Sequence, residues 1–333
     1  MRILRPAPLP ERFRERAVPW GDPGLVVADS RLLPRTLEQI GDACGAFEWV
    51  TFAYLAWLVA LLIGFHRAIA HPWAHLAVHS LIAVGILGLG WWSARSSNSI
   101  VRFLRCWYPL PLYSFFFEEL GGLVHAIFPE WFDRWFIAFD YNFAGVHPSI
   151  WLSHFASPAL NDVMQFSYMT YFLLLVILPA ILYVQRDQVA FWTVMTSTAV
   201  AHYSVYVIAV LLPVESPYYS LAALQTKTLS GGYCTALIAL IERFGRVHGA
   251  AFPSAHVAGS MVAIVASWHY RRWLFWTCLP FFVSMCLSTV YGRYHYMADV
   301  LGGIAVGAIG FSVGTRLLQQ TRALPGAGAS AGE

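Results

Sequence analysis

The sequence predicts an all-α, polytopic integral membrane bundle of about eight transmembrane helices. Three observations carry this. Of 333 residues, 58% are hydrophobic and only 12% charged, against roughly 25% charged in soluble domains. Mean hydropathy is +0.57. Apolar runs of membrane-crossing length recur along the chain, and the run over 163–184 carries no charge at all. A soluble globular class and a wholly disordered chain are thereby excluded. Five cysteines form no C-x-x-C pair and no disulfide framework. The first thirty residues lack an apolar core, so no cleavable signal peptide is expected. A net charge of +3 singles out no partner, and no nucleic acid is expected.

Residues 1–46 are polar, contain prolines and carry seven arginines, which reads as a cytoplasmic tail. An amphipathic piece lying on anionic lipid and a disordered tail oriented by charge both fit. Residues 47–128 read as accessory transmembrane helices. The first covers 49–65 and the second 73–92, with tryptophans at both edges as interfacial anchors. His71, His75 and His79 share one face of the second helix. Metal or haem ligation would use such a face, but no partner acid stands out, so bonded polar residues inside the bundle are expected. Arg95, Arg102 and Arg105 read as a basic loop. The third helix, 104–127, carries Pro109, Pro111, Glu118 and Glu119. Intramembrane acids are functional candidates by default; here a place near the outer interface or in a bent helix is expected.

Residues 129–158 are rich in aromatics but interrupted by Asp133, Arg134 and Asp140. They read as an interfacial segment that either roofs a site or simply anchors the chain. Residues 159–318 form the core, with helices over 163–184, 189–212, 257–270, 273–291 and 296–315. His202 is the only ionisable group of its helix and reads as a bonded core residue. Small residues recur at interval four as Ala255, Gly259, Ala263 and Ser267, and again as Gly303 and Gly307, followed by Gly310 and Gly314. Such stripes let helices approach closely in lipid. The Gly/Ala/Pro-rich 319–333 reads as a disordered tail.

With the N-terminus inside and eight crossings, fifteen basic residues lie inside and six outside. The six are Arg67, Arg134, Lys227, Arg243, Arg246 and Arg293. The positive-inside rule supports this orientation. Both termini are then cytoplasmic, and His256 and His295 face the extracytoplasmic side of the plasma (inner) membrane.

The chemistry concentrates between Gly249 and Gly303. Pro253 suits the first turn of a helix, which places Ser254, Ala255 and His256 in that turn, where free N–H groups cradle phosphate. His295 and Asp299 are four apart and share a helix face, so the carboxylate can orient the imidazole and stabilise its cation.

These residues resemble the type 2 phosphatidic acid phosphatase superfamily. Its P-S-G-H motif stands here as Pro253-Ser254-Ala255-His256. Its S-R-x5-H-x3-D motif stands as Ser288-Thr289-x5-His295-x3-Asp299. The rhythm Tyr291, His295, Tyr296, Asp299 is similar to the inositol phosphotransferase branch. Thr289 replaces the motif arginine. The K-x6-R-P motif is missing, and Pro213-Val214-Glu215-Ser216-Pro217 stands in the corresponding stretch, which favours a phosphodiester or another bulky headgroup. The resemblance implies that His295 is the nucleophile, that His256 is the general acid and base, and that Asp299 orients His295. Ser254 would bind phosphate oxygens. Arg293 is the choice for the missing arginine, with Arg243, Arg246 and Lys227 as further substrate-binding cations. A snorkelling interfacial role for Arg293 stays open.

The expected function is a membrane-embedded lipid phosphate phosphatase or phosphotransferase working through phosphohistidine. Its partners are the bilayer, a lipid phosphate substrate and, for transfer, an alcohol acceptor such as inositol. No cofactor and no metal are expected. The rival reading is a catalytically silent lipid-binding or lipid-moving protein of the same fold.

Overall fold

The computed structural model describes residues 44–245 and 247–323. Most of the expected N-terminal tail, Arg246 and the end of the chain lie outside the described residues. Among the described residues there is no strand. Six helices are long and apolar enough to cross a membrane: α1 (Ala46–Gly64), α2 (Pro72–Arg95), α7 (Pro158–Val184), α8 (Gln188–Leu211), α12 (Arg272–Tyr291) and α13 (Met297–Ala323). These make it a multi-pass membrane protein by length and composition. The two other expected crossings are shorter, so the count of eight is not reached on these criteria.

One of the shorter pair is α11 (Ala255–Tyr270), with 16 residues. It rises about 24 Å, somewhat less than a hydrocarbon core of about 30 Å. The other, expected over 104–127, is divided into α3 (Ser99–Trp107) and α4 (Pro109–Leu123). The division falls at Tyr108 because Pro109 has no N–H to continue the ladder and opens a new helix at its first position. The expected basic loop is therefore largely helical. Arg105 of α3 is ion-paired with Glu48 of α1. Tyr108 donates to the same carboxylate at 2.8 Å, so Glu48 is buried but satisfied.

The aromatic segment over 129–158 forms two short helices, α5 (Asp133–Ala144) and α6 (Pro148–Ser153). The connection over 213–252 holds the one-turn α9 (Pro217–Ser220), a 3-10 turn (Ala222–Leu224) and α10 (Tyr233–Gly245). At the far end α13 runs to Ala323, so residues 319–323 continue the helix rather than starting a tail.

α8 is the central element, buried along most of its length. The glycines of α13 explain how close its neighbours come. A Cβ on Gly303 would sit 2.7 Å from the carbonyl oxygen of Ser254, and one on Gly310 would sit 2.8 Å from Ala201 Cβ. α13 therefore presses its small-residue stripe onto α11 on one side and α8 on the other. This locks the start of α11, which carries His256, against the start of α13, which carries Asp299.

Candidate active site

The site is assembled where α11 and α13 begin. Ser254, not Pro253, opens α11: it is the N-cap, and its hydroxyl accepts the Val257 N–H at 3.4 Å. Its own N–H donates to the carbonyl of Asp299 at 3.1 Å. The two helix starts are thus bonded directly to each other, and Ser254 is fully buried.

His295 ends a tight turn after α12. The N–H groups of Tyr294 and His295 both donate to the carbonyl of Thr289, at 3.0 and 3.1 Å. Thr289, which stands at the motif-arginine position, therefore anchors the turn that carries His295 through its backbone. His295 Nδ1 lies 2.9 Å from the carbonyl of Ala251 and 3.3 Å from Asp299 Oδ2. Both are acceptors, so Nδ1 carries the proton and Nε2 keeps its lone pair. Burial pushes the imidazole down to about 4, partly offset by the Ala251 carbonyl. A neutral His295 is the form able to attack. Asp299 Oδ2 also accepts the Tyr296 N–H at 2.8 Å, and Oδ1 is buried without a partner.

His256 faces His295 edge-on, with ring centroids 6.0 Å apart. Its Nε2 lies 2.9 Å from Tyr168 Oη, and its Nδ1 is buried without a partner. Tyr171 and Phe117 close further sides of the ring. His202 is a bonded core residue, held between Tyr171 Oη at 3.1 Å and the Thr198 carbonyl at 3.0 Å.

Among the described residues, the expected cations are not gathered around these histidines. Arg293 adopts a positive φ of 65° and is buried. Its guanidinium donates to Gln225 Oε1 at 2.9 Å and to the Lys227 carbonyl at 2.7 Å, while Nε has no partner. Desolvation lowers its proton affinity. No bond links it to His256 or His295 among the described residues. Lys227 Nζ is spent on the carbonyl of His154 at 2.9 Å. Arg243 is exposed in the last turn of α10. Glu215, from the stretch that replaces the first motif, pairs its carboxylate with His248 at 2.6 Å.

Several residues around the site carry no motif. Gln165, Tyr168 and Tyr171 line one face of α7, together with Asn161. Gln165 accepts from Tyr294 at 3.0 Å, and the Tyr294 ring packs at a tilt against Tyr168. Glu242 of α10 also bonds Tyr294 and, after desolvation, adds to the rise of its pKa. The interval of these polar side chains within an apolar run was the available signal. Asp133 and Asp140, read as interruptions of an interfacial segment, brace the residues that follow His295. Asp140 accepts the N–H groups of Met297 and Ala298 at 2.9 and 3.1 Å. Asp133 accepts Tyr296 Oη–H at 2.6 Å and the Glu215 N–H at 2.9 Å. Burial raises both carboxyls, and these hydrogen bonds oppose the rise. Phe136 packs with Val214, Ala251 and Tyr296, which places α5 directly on the segment that holds His295.

The arrangement can do covalent phosphoryl chemistry: a neutral imidazole with one nitrogen oriented and the other open, beside a second imidazole able to move a proton. A family model described as the PAP2 superfamily matches residues 134–313. No curated protein and no solved structure matches the chain.

Proposed function

Because this chain belongs to the PAP2 superfamily, whose reaction class is phosphoric ester hydrolysis, we propose that it cleaves or transfers a lipid phosphate through a phosphohistidine at His295. The observation that carries this reading is the two-point hold on His295 Nδ1 by Ala251 and Asp299, with the ring turned towards His256.

In the first step His295 Nε2 attacks phosphorus. The N–P bond forms, the P–O bond to the leaving alcohol breaks, and His256, entering the step as the imidazolium, gives that alkoxide its proton and becomes the neutral imidazole. Asp299 and the Ala251 carbonyl stabilise the positive imidazole ring that results. In the second step His256 takes a proton from water or an acceptor alcohol, whose oxygen attacks phosphorus and breaks the N–P bond. Tyr168 acts as a positioning residue by fixing one nitrogen of His256. Ser254 holds the start of α11, whose remaining N–H groups favour phosphate oxygens. Arg293 would reach the phosphate only by exchanging its bonds to Gln225 and Lys227. With those bonds kept, it fixes the loop that borders the site.

One observation favours headgroup transfer from a phosphodiester over hydrolysis of a monoester. Among the described residues no cation is bonded at the histidine pair, and Glu242 bonds Tyr294 beside it. A dianionic monoester demands fixed positive charge; a phosphodiester monoanion demands less. The acceptor is then an alcohol such as inositol or a second lipid. The site is proposed to open on the extracytoplasmic face of the plasma membrane. The test is purified full-length chain in lipid nanodiscs, given a panel of lipid phosphomonoesters and phosphodiesters with and without candidate alcohols. Release of inorganic phosphate supports the phosphatase, and an alcohol-dependent new phosphodiester supports transfer. No turnover of any member, with no label at His295, returns the chain to the silent lipid-binding reading. Labelling of a Ser230→Cys protein from the outside checks the sidedness.

A further inference from the structure

α2 is the least buried of the long helices. Of its 24 residues only His79, Ile86 and Gly90 are buried, so a histidine is one of three anchors. Glu119 of α4 meets it there, with His79 Nε2 2.8 and 3.0 Å from the two carboxylate oxygens. His75, one turn earlier, places Nδ1 2.6 Å from Glu119 Oε1. One ligand atom from each of the three residues lies within 4.8 Å of the other two. His71, which shares the sequence spacing, is the N-cap of α2 and stands outside the group.

The chemistry of the triad is specific. Glu119 is buried, and its bonded partners among the described residues are these two histidines. Among the described residues no arginine or lysine is ion-paired with it. A buried carboxylate needs a compensating charge, and two imidazoles converging on it complete the donor set of a three-ligand zinc site. Histidines at i and i+4 on one helix face supply two such ligands at once. Tetrahedral bonds of about 2.0 Å set ligand atoms about 3.3 Å apart, so an ion would spread the present 2.6–3.0 Å contacts slightly. The His75 side chain is 28% exposed, which leaves a side from which the ion and a fourth, water ligand can enter.

We infer that His75, His79 and Glu119 bind a first-row divalent ion of the zinc class, which clips the loosely packed α2 to α4. The clip touches the active site without joining its chemistry: Phe116 of α4 packs on His79, and the next residue, Phe117, packs on His256.

The test uses the full-length chain purified in nanodiscs, loaded with Zn²⁺ or Co²⁺ and washed free of excess ion. Wild type is expected to retain about one ion per chain. The Co²⁺ form should show the intense visible absorption of a four-coordinate ion. His79→Ala and Glu119→Gln should each weaken binding by about 100-fold or more, since even outer-shell changes cost roughly 10–100-fold. His71→Ala should bind normally. If Glu119→Gln does not fold, the wild-type Co²⁺ spectrum and the edge variant His75→Ala decide. Wild type that binds no ion, or triad variants that bind as wild type does, would overturn the site and leave a hydrogen-bonded triad alone. Both readouts are independent of turnover, so failure here is distinct from failure of the phosphohistidine reading.

Discussion

Asp140 closes the first turn of the helix that carries Asp299, accepting the Met297 N–H at 2.9 Å. A carboxylate from the short α5 therefore caps α13. A cap of this kind contributes about 0.5–2 kcal/mol, and here both carboxylate oxygens accept, from Met297 and Ala298. Asp140→Ala should lower the thermal stability by that order and slow turnover. Asp140→Asn keeps one acceptor oxygen but turns its NH2 towards the second backbone N–H, so it should recover at most part of either loss. Melting curves and kinetics of the two proteins side by side check this; stability and turnover unchanged in Asp140→Ala would show that Asp140 does not cap the helix.

The two histidines should separate by what accumulates. A nitrophenyl phosphate ester has a good leaving group, so its first step needs little help from His256 and its second step needs all of it. His256→Ala given this substrate should build up acid-labile phosphohistidine at His295 and turn over slowly. His295→Ala should carry no label and show no turnover. Mass spectrometry of protein quenched and held at alkaline pH reads the result. Phosphate on His256 would reverse the assignment.

Arg293 holds Gln225 and the Lys227 carbonyl. If it acts by fixing that loop, Gln225→Ala should reproduce part of the loss seen in Arg293→Ala, and the loss should fall mainly on KM. If it instead moves onto the phosphate, Arg293→Lys should cost kcat heavily, because the bidentate fork is gone, while Gln225→Ala stays near wild type. Steady-state kinetics on the three variants distinguish the two.

Gly303 faces the Ser254 carbonyl, where an added Cβ would sit at 2.7 Å against backbone that cannot swing aside. Gly303→Ala should push α13 away from α11 and separate Asp299 from its contact with Ser254. The expected cost is about 1–3 kcal/mol of stability with a larger proportional loss of turnover. A melting temperature and activity unchanged from wild type would show that the helix starts tolerate displacement.

His295 links stability to pH. Its folded value of about 4 lies below the ordinary 6.5. Between these values the unfolded chain binds the proton and the folded chain does not, so stability rises with pH. The contribution is present above pH 6.5 and is lost as pH falls towards 4, on the order of 3 kcal/mol in all. His295→Asn should flatten the fall in melting temperature across that window. An unchanged slope in the variant would mean that other groups govern acid unfolding.

The sequence by itself determined what is written locally. Apolar runs marked the long helices, and turn and cap residues marked most of their ends. The spacing of His295 and Asp299 announced that the two meet, although His295 lies in the turn before α13 and not on a shared helix face. Pro253 to His256 marked the start of α11. The glycine stripe announced a close helix contact. Each of these is a property of a few neighbouring residues. Only the tertiary structure decided which side chains meet across helices. His79 and Glu119 lie 40 residues apart, Tyr168 and His256 88, and Asp140 and Met297 157. In a soluble helix the apolar stripe reveals which face turns inward. Here lipid and core are both apolar, so α2 and α7 are hydrophobic on nearly every side and their rotation about the helix axis is not written in the pattern. The same cause hid the destination of Arg293. Its charge and proximity to His295 were legible, but a positive φ at that residue turned its side chain towards Gln225, and backbone conformation of that kind is set by the packing of the whole turn.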